Sequence, residues 1–355
     1  WDALVPGVQP FLRHAFLTAL EDSGSVGAGT GWEPAHQLWC GADGRVLAAL
    51  PAWRKLHSLG EYVFDRGWAE ACHRAGIPYY PKLLAAVPFT PVTGPRLLGD
   101  PLHVTALLDA LEPALTATGL SGLHINFTAA ADNQLMQSRP GWLPRLDCQF
   151  HWRNRGYGDF ADFLATLRSD KRKKLRKERE SVAGQGIRFD WRSGAALSEA
   201  EWDFVFDCYA NTYLVRGQRP YLSRDFFSLL AERMPDVIRV VLARQGGRPV
   251  AMAFSLVSAG VLYGRYWGCL DSFHALHFET CFYQGLELAM AEGLQSFNAG
   301  AQGEHKLTRG FEPVLTQSWH YLCHPGLRRA VADYLQQERQ QVQAYADAAT
   351  GALPY

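Results

Sequence analysis

The sequence lacks the signatures of several large protein classes. None of the motifs G-x-x-x-x-G-K-[ST], G-x-G-x-x-G, G-x-S-x-G and H-E-x-x-H occurs in its 355 residues. This argues against the common nucleotide-binding, hydrolase and zinc-protease sites. The apolar stretch between Arg248 and Arg265 is too short for a membrane-spanning helix and is interrupted by Ser255, Ser258 and Gly260. No basic start followed by an apolar run marks a signal peptide.

Paired cysteines are also lacking. The seven cysteines are scattered singly, with an odd total and no C-x-x-C pair. This argues against a disulfide framework or a zinc knuckle and indicates a reducing compartment. His274, His277 and Glu279 have a spacing that could supply metal ligands, but no second cluster accompanies them, so no metal is expected. We therefore expect a soluble cytoplasmic protein without a membrane span.

Net charge is absent as well, since 35 basic residues balance 35 acidic ones. A protein without net charge has no long-range field to attract a polyanion, so any phosphate contact must come from a local patch. With 48% hydrophobic and 20% charged residues, the chain can form a folded core, and its length predicts about two domains. Strand, helix and turn patterns alternate throughout, which indicates an α/β or α+β fold.

The two halves of the chain resemble each other. Residues 36–53 and 238–257 both read as strand, turn and strand. Each is followed by a helix that ends in glycine and then by an apolar strand. In the first half the helix runs from Trp68 to Gly76 and the strand covers 77–80. In the second half the helix runs from Phe278 to Gly293 and the strand covers 294–297. We therefore predict a duplicated architecture with domains at 1–152 and 153–322, followed by a terminal docking helix within 323–355.

A strongly basic segment opens the second predicted domain. Apolar residues recur at helical spacing from Phe160 to Val182, and seven of the nine residues from Lys171 to Arg179 are basic. Such a helix can simply be solvated. However, like charges in neighbouring turns repel each other unless an anion offsets them, which favours a phosphate-bearing ligand. The candidate phosphate-binding residues are Arg172, Lys173 and Arg176.

Three further segments are dense in polar and aromatic residues. They span 55–68, 79–94 and 300–311, and the last contains Glu304, His305, Lys306 and Arg309 within one short strand exit. All three follow or interrupt apolar strands, where a rigid scaffold can direct loop residues into a cleft. The plain alternative is that they are polar loops with turn prolines and glycines.

These segments resemble the Fem-like family of N-acyltransferases, labelled as peptidoglycan biosynthesis or recognition proteins, within the GNAT superfamily. The similarity rests on His57-Ser58 with Gly60 to Asp65, on Pro88 to Gly94 and on Gly300 to Lys306, and it extends over most of the chain. It implies tandem GNAT-like domains with mixed central sheets flanked by helices. One departure is Asn298-Ala299 where relatives are expected to carry Glu-Pro, which places a carboxylate role at that point in doubt.

The resemblance implies transfer of an acyl or aminoacyl group from an activated donor to an amine acceptor in an interdomain cleft. The acceptor could be a cell-wall precursor or a small metabolite, and the donor acyl-CoA or aminoacyl-tRNA, with no tightly bound cofactor. Acetyl-CoA enzymes of the superfamily place a glycine-rich turn before the helix near Phe278, but here the turn from Asp271 to His277 has no glycine. This slightly favours aminoacyl-tRNA as the donor.

Candidate roles follow for individual residues. Glu304 or His305 could accept the proton of the attacking amine, and Lys306 could stabilise the oxyanion or hold a phosphate. Candidate substrate-binding residues of the first half are His57, Glu61, Asp65, Lys82, Thr93 and Arg96. Those of the second half are Tyr213, Arg216, Tyr266, His277, Tyr283 and Arg309.

Two other functions are compatible with the residues. A duplicated acyltransferase fold can lose its chemistry and serve as a glycan- or peptide-recognition protein. The orientation of Glu304, His305 and Lys306, into one cavity or out to solvent, would separate the two. A dedicated nucleic-acid binder is disfavoured, because a single basic run offers few phosphate contacts.

Overall fold

The structure is a computed structural model that describes residues 1–5, 7, 9–301 and 303–355. Gln302, in the third polar segment, lies outside the described residues. The chain divides into two compact units, Trp1–Cys148 with Leu315–Ala346 and Gln149–Val314 with Asp347–Tyr355. This division differs from the predicted domains near the C-terminus, because Leu322 and its neighbours pair with a strand of the first half.

The elements of the first part of the chain, in order, are α1 His14–Asp22, β1 Trp32–Pro34, β2 Gln37–Cys40, β3 Val46–Leu50, β4 Ala52–Lys55, α2 Arg66–Ala75, β5 Lys82–Ala85, β6 Leu98–Gly99, α3 Pro101–Ala117, β7 Gly122–Ile125, α4 Ala130–Gln137 and β8 Leu143–Arg153. The second part contains α5 Phe160–Ala165, α6 Ser169–Gly184, β9 Ile187–Ser193, α7 Glu199–Leu214, α8 Arg224–Arg233, β10 Ile238–Gln245, β11 Arg248–Ser258, β12 Val261–Cys269, α9 Leu276–Phe278, α10 Gln284–Ala291, β13 Ser296–Asn298, β14 Glu312–Leu322 and α11 Pro325–Gly351. Short 3₁₀ turns occupy Asp2–Leu4, Pro10–Leu12, Gly194–Ala196, Pro235–Val237 and Glu304–Arg309.

The first unit contains a mixed sheet in the order β1-β4-β5-β7-β14. Strands β5 and β7 are parallel, with Leu83 opposite Leu123, while β4 and β14 flank them in antiparallel orientation. A separate antiparallel sheet has the order β2-β3-β6. Helix α3 begins after the side chain of Asp100, which accepts a hydrogen bond from the backbone N–H of Leu102.

The second unit contains a mixed sheet in the order β8-β13-β12-β11-β10-β9. Here β12 and β13 are the parallel pair, and the remaining neighbours are antiparallel. A parallel pair flanked by antiparallel strands thus occurs in both units. This confirms the predicted fold class of an α/β protein with mixed central sheets flanked by helices, with the same strand pattern in both units.

Most predicted elements are present, but two differ. The helix predicted from Phe160 to Val182 is broken into α5 and α6, because Arg168 adopts an extended backbone and its N–H donates to the carbonyl of Pro354. The strand predicted at 77–80 begins instead at Lys82. The intervening residues include Pro78 and Pro81, which have no N–H to donate to a strand ladder.

Helix α7 lies directly against β12 at a glycine. A Cβ atom at Gly268 would overlap the backbone carbonyl of Cys208, so only glycine allows this approach.

We expect Gly268→Ala to destabilise the protein by about 1–3 kcal/mol, measured by urea denaturation. Gly67→Ala is the control, because a Cβ there meets nothing within 4 Å and alanine favours a helix over glycine. Equal stability of the two variants would contradict the close approach.

Candidate functional site

The parallel pair of the second unit separates along its length. Strand β13 pairs with β12 only from Val261 to Tyr263 and ends at Asn298, whereas β12 continues to Cys269 along β11. The register between β11 and β12 shifts so that Arg265 is an extra residue in β12. Such a bulge redirects side chains locally. The sheet therefore opens beside the middle of β12.

A cavity of about 180 Å³ lies at this opening. Its walls are largely aromatic, formed by Trp191, Phe254, Tyr266, Trp267, Phe282 and Phe297. His277, His305, Lys306 and Arg265 supply most of its polar character. A cavity with aromatic walls and a few convergent polar groups has the composition expected of a small-ligand site.

Lys306 is the most deeply buried charged residue of this cavity, with 2% of its surface exposed. It lies on the 3₁₀ turn Glu304–Arg309, which Gly303 begins with a positive φ of 118° that disfavours other residues. Its Nζ donates to the carbonyl of Gly300 at 2.7 Å. Burial lowers the pKa of Lys306 to about 8, so the ammonium form predominates at neutral pH.

Two histidine rings lie close to each other at the same cavity. The ring centroids of His277 and His305 are 6.1 Å apart, and both rings contact Phe282. Burial, His305 and Arg309 lower the pKa of His277 to about 4. Burial, Arg309 and Lys306 lower the pKa of His305. Both imidazoles are therefore mainly neutral at pH 7, and a neutral imidazole can accept a proton.

The structure brings some of the predicted residues of the second half together at the cavity but not others. Lys306, His305, His277 and Tyr266 line it. Glu304 and His305 are both exposed, but of these two proposed proton acceptors only His305 is among the residues that line the cavity.

Arg309 and Tyr283 lie behind the cavity in a buried network. The guanidinium of Arg309 donates to the hydroxyl of Tyr283 at 3.0 Å, to the carbonyl of His305 at 2.8 Å and to Glu178 at 2.8 Å. It also lies 3.7 Å from the ring centre of Phe278. Arg309 therefore positions the turn that carries His305, rather than offering its charge to a ligand in the cavity.

A π-helical segment, Glu279–Tyr283, forms one wall of the cavity. Arg179 of α6 holds it from outside, donating to Glu279 at 3.0 Å and to Glu287 at 2.7 Å. Segments of this kind recur at functional sites because they displace side chains from regular helical positions. The sequence carries no signal for the π turn, and in the sequence Arg179 is simply one residue of the basic run from Lys171 to Arg179.

The predicted phosphate-binding residues of α6 are separate from the cavity. Lys173 and Arg176 are exposed, and Arg172 is half-buried with a long hydrogen bond of 3.4 Å to the carbonyl of Ala165. None of these three lines the cavity. Their anion-binding role stays a prediction.

Tyr213 and Arg216 are also outside the cavity. Tyr213 packs near the end of α7 between the rings of Tyr209 and Tyr221, at centroid distances of 5.2 and 5.4 Å. Arg216 is exposed. Tyr213 is half-buried in this aromatic cluster, and the predicted roles of Tyr213 and Arg216 in substrate binding stay predictions.

The first unit gathers Lys82, Glu61 and Asp65 into a buried ion cluster. The ammonium of Lys82 has no exposed surface and donates to Glu61 at 2.8 Å, to Ser58 at 3.0 Å and to Asp65. Tyr79 donates to the same Asp65 carboxylate at 2.5 Å. These residues are predicted to belong to one substrate-binding site, and the structure brings them into direct contact. Their role in substrate binding stays a prediction.

Burial and the neighbouring opposite charges shift the pKa values of this cluster in opposite directions. Burial raises the pKa of Glu61 to about 7, against the pull of Lys82. Burial also opposes ionisation of Asp65, but Lys82 prevails and lowers the pKa of Asp65 to about 2. The carboxylates likewise outweigh burial at Lys82 and raise its pKa. The cluster is therefore centred on an ionised pair of Lys82 and Asp65.

The other predicted residues of the first unit contact backbone groups. Arg96 is buried and donates to the carbonyl groups of Asn126 and Val92 at 3.0 and 2.6 Å. A ring nitrogen of His57 lies 3.0 Å from the carbonyl of Thr30. Thr93 accepts a weak hydrogen bond from Gln9 through its carbonyl. Arg96 thus holds the loop after β5, and its predicted role in substrate binding stays a prediction.

Over the described residues, no group of three or more His, Cys, Asp or Glu side chains could hold a metal ion. In the same part of the chain, no helix is both long and apolar enough to cross a bilayer.

A comparison with known protein families shows to which family the chain belongs. The sequence matches the FemAB-like family, described as peptidoglycan biosynthesis/recognition, over residues 1–355. The chain belongs to the FemAB-like family. The resemblance inferred from the three polar segments is therefore confirmed. No curated protein matches this FemAB-like chain.

Solved structures share the fold of the FemAB-like chain at low sequence identity. FemX is 10% identical with a TM-score of 0.55, covering 93% of this chain and 97% of FemX. L-PGS from Bacillus licheniformis is 12% identical with a TM-score of 0.54, covering 93% and 98%. The C-terminal domain of a putative lysylphosphatidylglycerol synthetase from Agrobacterium fabrum is 10% identical with a TM-score of 0.52, covering 90% and 96%. At these identities the likeness concerns the fold alone.

Proposed function

We propose that this FemAB-like protein is an N-acyltransferase whose reaction takes place at the cavity beside β12. The observation that carries the proposal is that His305 and Lys306 both line one cavity where two parallel strands separate. A buried lysine of lowered pKa beside a histidine is an arrangement that recurs at catalytic sites, which favours a transferase over a recognition protein. The family and its transferase-like fold support the same reaction class.

The geometry supports a direct transfer. The carbonyl of the donor would lie beside β12 past Tyr263, where the strand has parted from β13 and backbone N–H groups can donate to it. An acceptor amine attacks this carbonyl, and a C–N bond forms while the carbonyl oxygen becomes an oxyanion. The ammonium of Lys306 stabilises that charge. His305 takes the proton of the attacking amine. The C–S or C–O bond to the donor then breaks, and the leaving thiolate or alkoxide takes up the proton that His305 holds.

Donor and acceptor are proposed by class. The donor is an acyl-CoA or an aminoacyl-tRNA, and the exposed Lys173 and Arg176 of α6 are candidates for contact with its phosphates. The acceptor is an amine, in line with the family description a peptidoglycan precursor or a related metabolite.

The test is donor consumption by the intact protein. Isotopically labelled acetyl-CoA, longer acyl-CoAs and a mixed aminoacyl-tRNA pool are each incubated with amine-bearing muropeptide precursors and a mixture of small amines. We expect protein-dependent transfer of label to an amine, detected by mass spectrometry. Binding of an acceptor without consumption of any donor would instead support the recognition protein that the sequence left open.

The rate is expected to depend on pH in a bell shape. His305 must be unprotonated to accept a proton, so the rate rises with pH through a value below the ordinary histidine pKa of 6.5. Lys306 must be protonated to stabilise the oxyanion, so the rate falls as pH rises through about 8. The measurement is kcat/KM from pH 5 to 10. In Lys306→Arg the fall in rate at high pH should move above pH 9, because a guanidinium stays charged. If the fall in rate stays near pH 8 in this variant, a group other than Lys306 causes it.

A further inference from the structure

A second cavity, of about 230 Å³, lies within the first unit. Residues of β8, β14 and α11 line it, together with residues of two loops. Two hydroxyl-bearing residues of β14, Thr316 and Ser318, are among them, and both are buried. Because side chains alternate along a strand, Thr316, Ser318 and His320 lie on one face of β14. The wall of this cavity therefore carries a serine with a histidine beside it on the same face.

The hydroxyl of Ser318 is the first member of a hydrogen-bonded row. Its Oγ lies 3.2 Å from Nε2 of His320. Nδ1 of His320 lies 2.7 Å from Nδ1 of His124, the residue opposite it on β7. A hydroxyl in contact with one imidazole, which a third group orients, is the arrangement that activates a serine as a nucleophile.

The tautomers of the two histidines decide what the row can do. If Nδ1 of His320 carries a hydrogen, it donates to Nδ1 of His124, and Nε2 of His320 is free to accept the proton of Ser318. His124 then carries its hydrogen on Nε2, a buried nitrogen that has no hydrogen-bond partner within the described part of the chain. In the opposite tautomer Nε2 of His320 donates to Ser318, and the contact is purely structural. A nucleophilic serine requires the first tautomer.

Both histidines are neutral. Burial, His124, Arg145 and Lys82 lower the pKa of His320 well below 6.5. Burial and Lys82 lower the pKa of His124 to about 3, against the pull of Asp65. A neutral imidazole can take a proton, but a low pKa makes it a weak base. A reaction at this row is therefore expected to be slow.

An amide without a partner lies beside the row. Asn126 is 1% exposed, and neither its amide nitrogen nor its amide oxygen has a hydrogen-bond partner among the described residues. Ile125 pairs with Trp319 across β7 and β14, so the following residue, Asn126, falls opposite Ser318. A buried amide without a partner costs free energy, which an oxygen of a ligand would offset. Its N–H₂ group is also the kind of donor that stabilises the oxyanion of an acyl transfer.

Size and charge limit what the cavity can take. The lining residues Arg145 and Glu338 hold each other in a two-bonded ion pair, with both N–O distances 2.8 Å. Asp147, also at the cavity, is exposed. A charged acyl group beside the buried Ser318 would lose its water without gaining a buried opposite charge. The cavity therefore suits a short, uncharged acyl chain.

We propose that Ser318, His320 and His124 form a nucleophilic site that takes the acyl group of a small uncharged carboxylic ester onto the serine hydroxyl. Oγ of Ser318 adds to the ester carbonyl while Nε2 of His320 takes the hydroxyl proton, and Asn126 donates to the oxyanion. The C–O bond to the alcohol breaks, and the alcohol leaves with the proton from His320. Water then hydrolyses the acyl-serine, which releases the carboxylic acid and restores the hydroxyl. His124 is a positioning residue for His320.

This activity does not depend on the proposed transfer reaction. None of the four residues Asn126, His124, His320 and Ser318 lines the cavity beside β12. Acyl transfer to an amine and ester hydrolysis at Ser318 can therefore be present or absent independently of each other.

Diisopropyl fluorophosphate tests the serine in the intact native protein. This reagent phosphorylates serines whose hydroxyl is activated by a base, and tandem mass spectrometry locates the modified residue. We expect labelling of Ser318 to be about 10²-fold or more faster than that of the exposed Ser138, because a positioned general base contributes about 10²–10⁴-fold. If Ser318 is labelled no faster than Ser138, the proposal fails. No variant is needed, so this result does not depend on how a variant folds.

Variants assign the roles within the row, with thermal unfolding measured for each. His320→Gln should slow labelling of Ser318 by about 10²-fold or more. His124→Leu should also slow it, whereas His124→Gln offers an amide oxygen to Nδ1 of His320 and should restore most of the rate. Ser138→Ala removes an exposed hydroxyl, is the matched control and should leave the rate unchanged. Unchanged labelling in a well-folded His320→Gln variant would show that the contact between Ser318 and His320 is structural.

Ester turnover tests the substrate class. The native protein and Ser318→Ala are each given p-nitrophenyl acetate, with an uncharged acyl group, and p-nitrophenyl hydrogen succinate, with an anionic one. We expect release of p-nitrophenolate above the level of Ser318→Ala, and faster release from the acetate. Equal release by the two proteins would overturn the proposed activity, and a preference for the succinate would overturn the uncharged acyl group.

Discussion

Replacing Lys306 with methionine should lower kcat/KM for acyl transfer by a factor of about 100 or more. The variant keeps most of the buried side-chain volume but removes the ammonium that lies at the cavity and donates to Gly300. Removal of a single oxyanion-stabilising donor typically reduces kcat by 10² to 10³. The measurement is the steady-state rate with whichever donor the protein consumes.

A structural effect must be separated from a chemical one. Thermal unfolding of Lys306→Met shows whether the variant is as stable as the native protein, and Lys306→Arg tests whether a cation alone restores the rate. Arg45 lies at an exposed turn between β2 and β3 and does not line the cavity. Arg45→Met therefore removes a positive charge outside the candidate site and should leave the rate unchanged. A well-folded Lys306→Met variant with full activity would remove this residue from the mechanism.

Replacing Lys82 with methionine should destabilise the protein by about 3–5 kcal/mol, because it leaves the buried carboxylates of Glu61 and Asp65 without their cation. The measurement is urea denaturation at pH 7. Arg66→Met is the control, since Arg66 also pairs with a carboxylate, Glu70, but on an exposed helix surface. It should change stability by no more than about 0.5 kcal/mol.

Neutralising the partners tests the cause of this effect. In the background of Lys82→Met, Glu61→Gln and Asp65→Asn remove the unpaired charges and should restore much of the lost stability. If the triple variant is no more stable than Lys82→Met, the loss comes from packing and not from charge. If the Lys82→Met variant is as stable as the native protein, the ion cluster contributes nothing to the stability of the fold.

The fold class and the family could be predicted because they depend on local patterns. Apolar runs on either side of Gly41 and of Gly246 fix the hairpins, and the capping residues Ser198 and Glu201 mark the start of α7. The neighbourhood of His305 and Lys306 could be predicted because both lie on one short turn after a strand.

What escaped prediction depends on contacts between residues distant in sequence. Arg179 lies in a basic run, yet its partners Glu279 and Glu287 are about a hundred residues away. The break between α5 and α6 depends on the carbonyl of Pro354, near the end of the chain. Trp191 and Arg265 reach the cavity through strand order and a bulge, neither of which has a sequence signature.

The chain leaves the first unit at Cys148 and returns to it at Leu315, so most of the second unit is an insertion. During synthesis, the ribosome therefore completes the inserted sheet before it delivers the last strand of the first one. A gene fragment cut near residue 150 would encode a sheet that lacks β14, with β7 as an open edge. Such a fragment is expected to aggregate when expressed alone. To study the first unit in isolation, its two pieces, Trp1–Cys148 and Leu315–Ala346, would have to be joined in one circularly permuted chain.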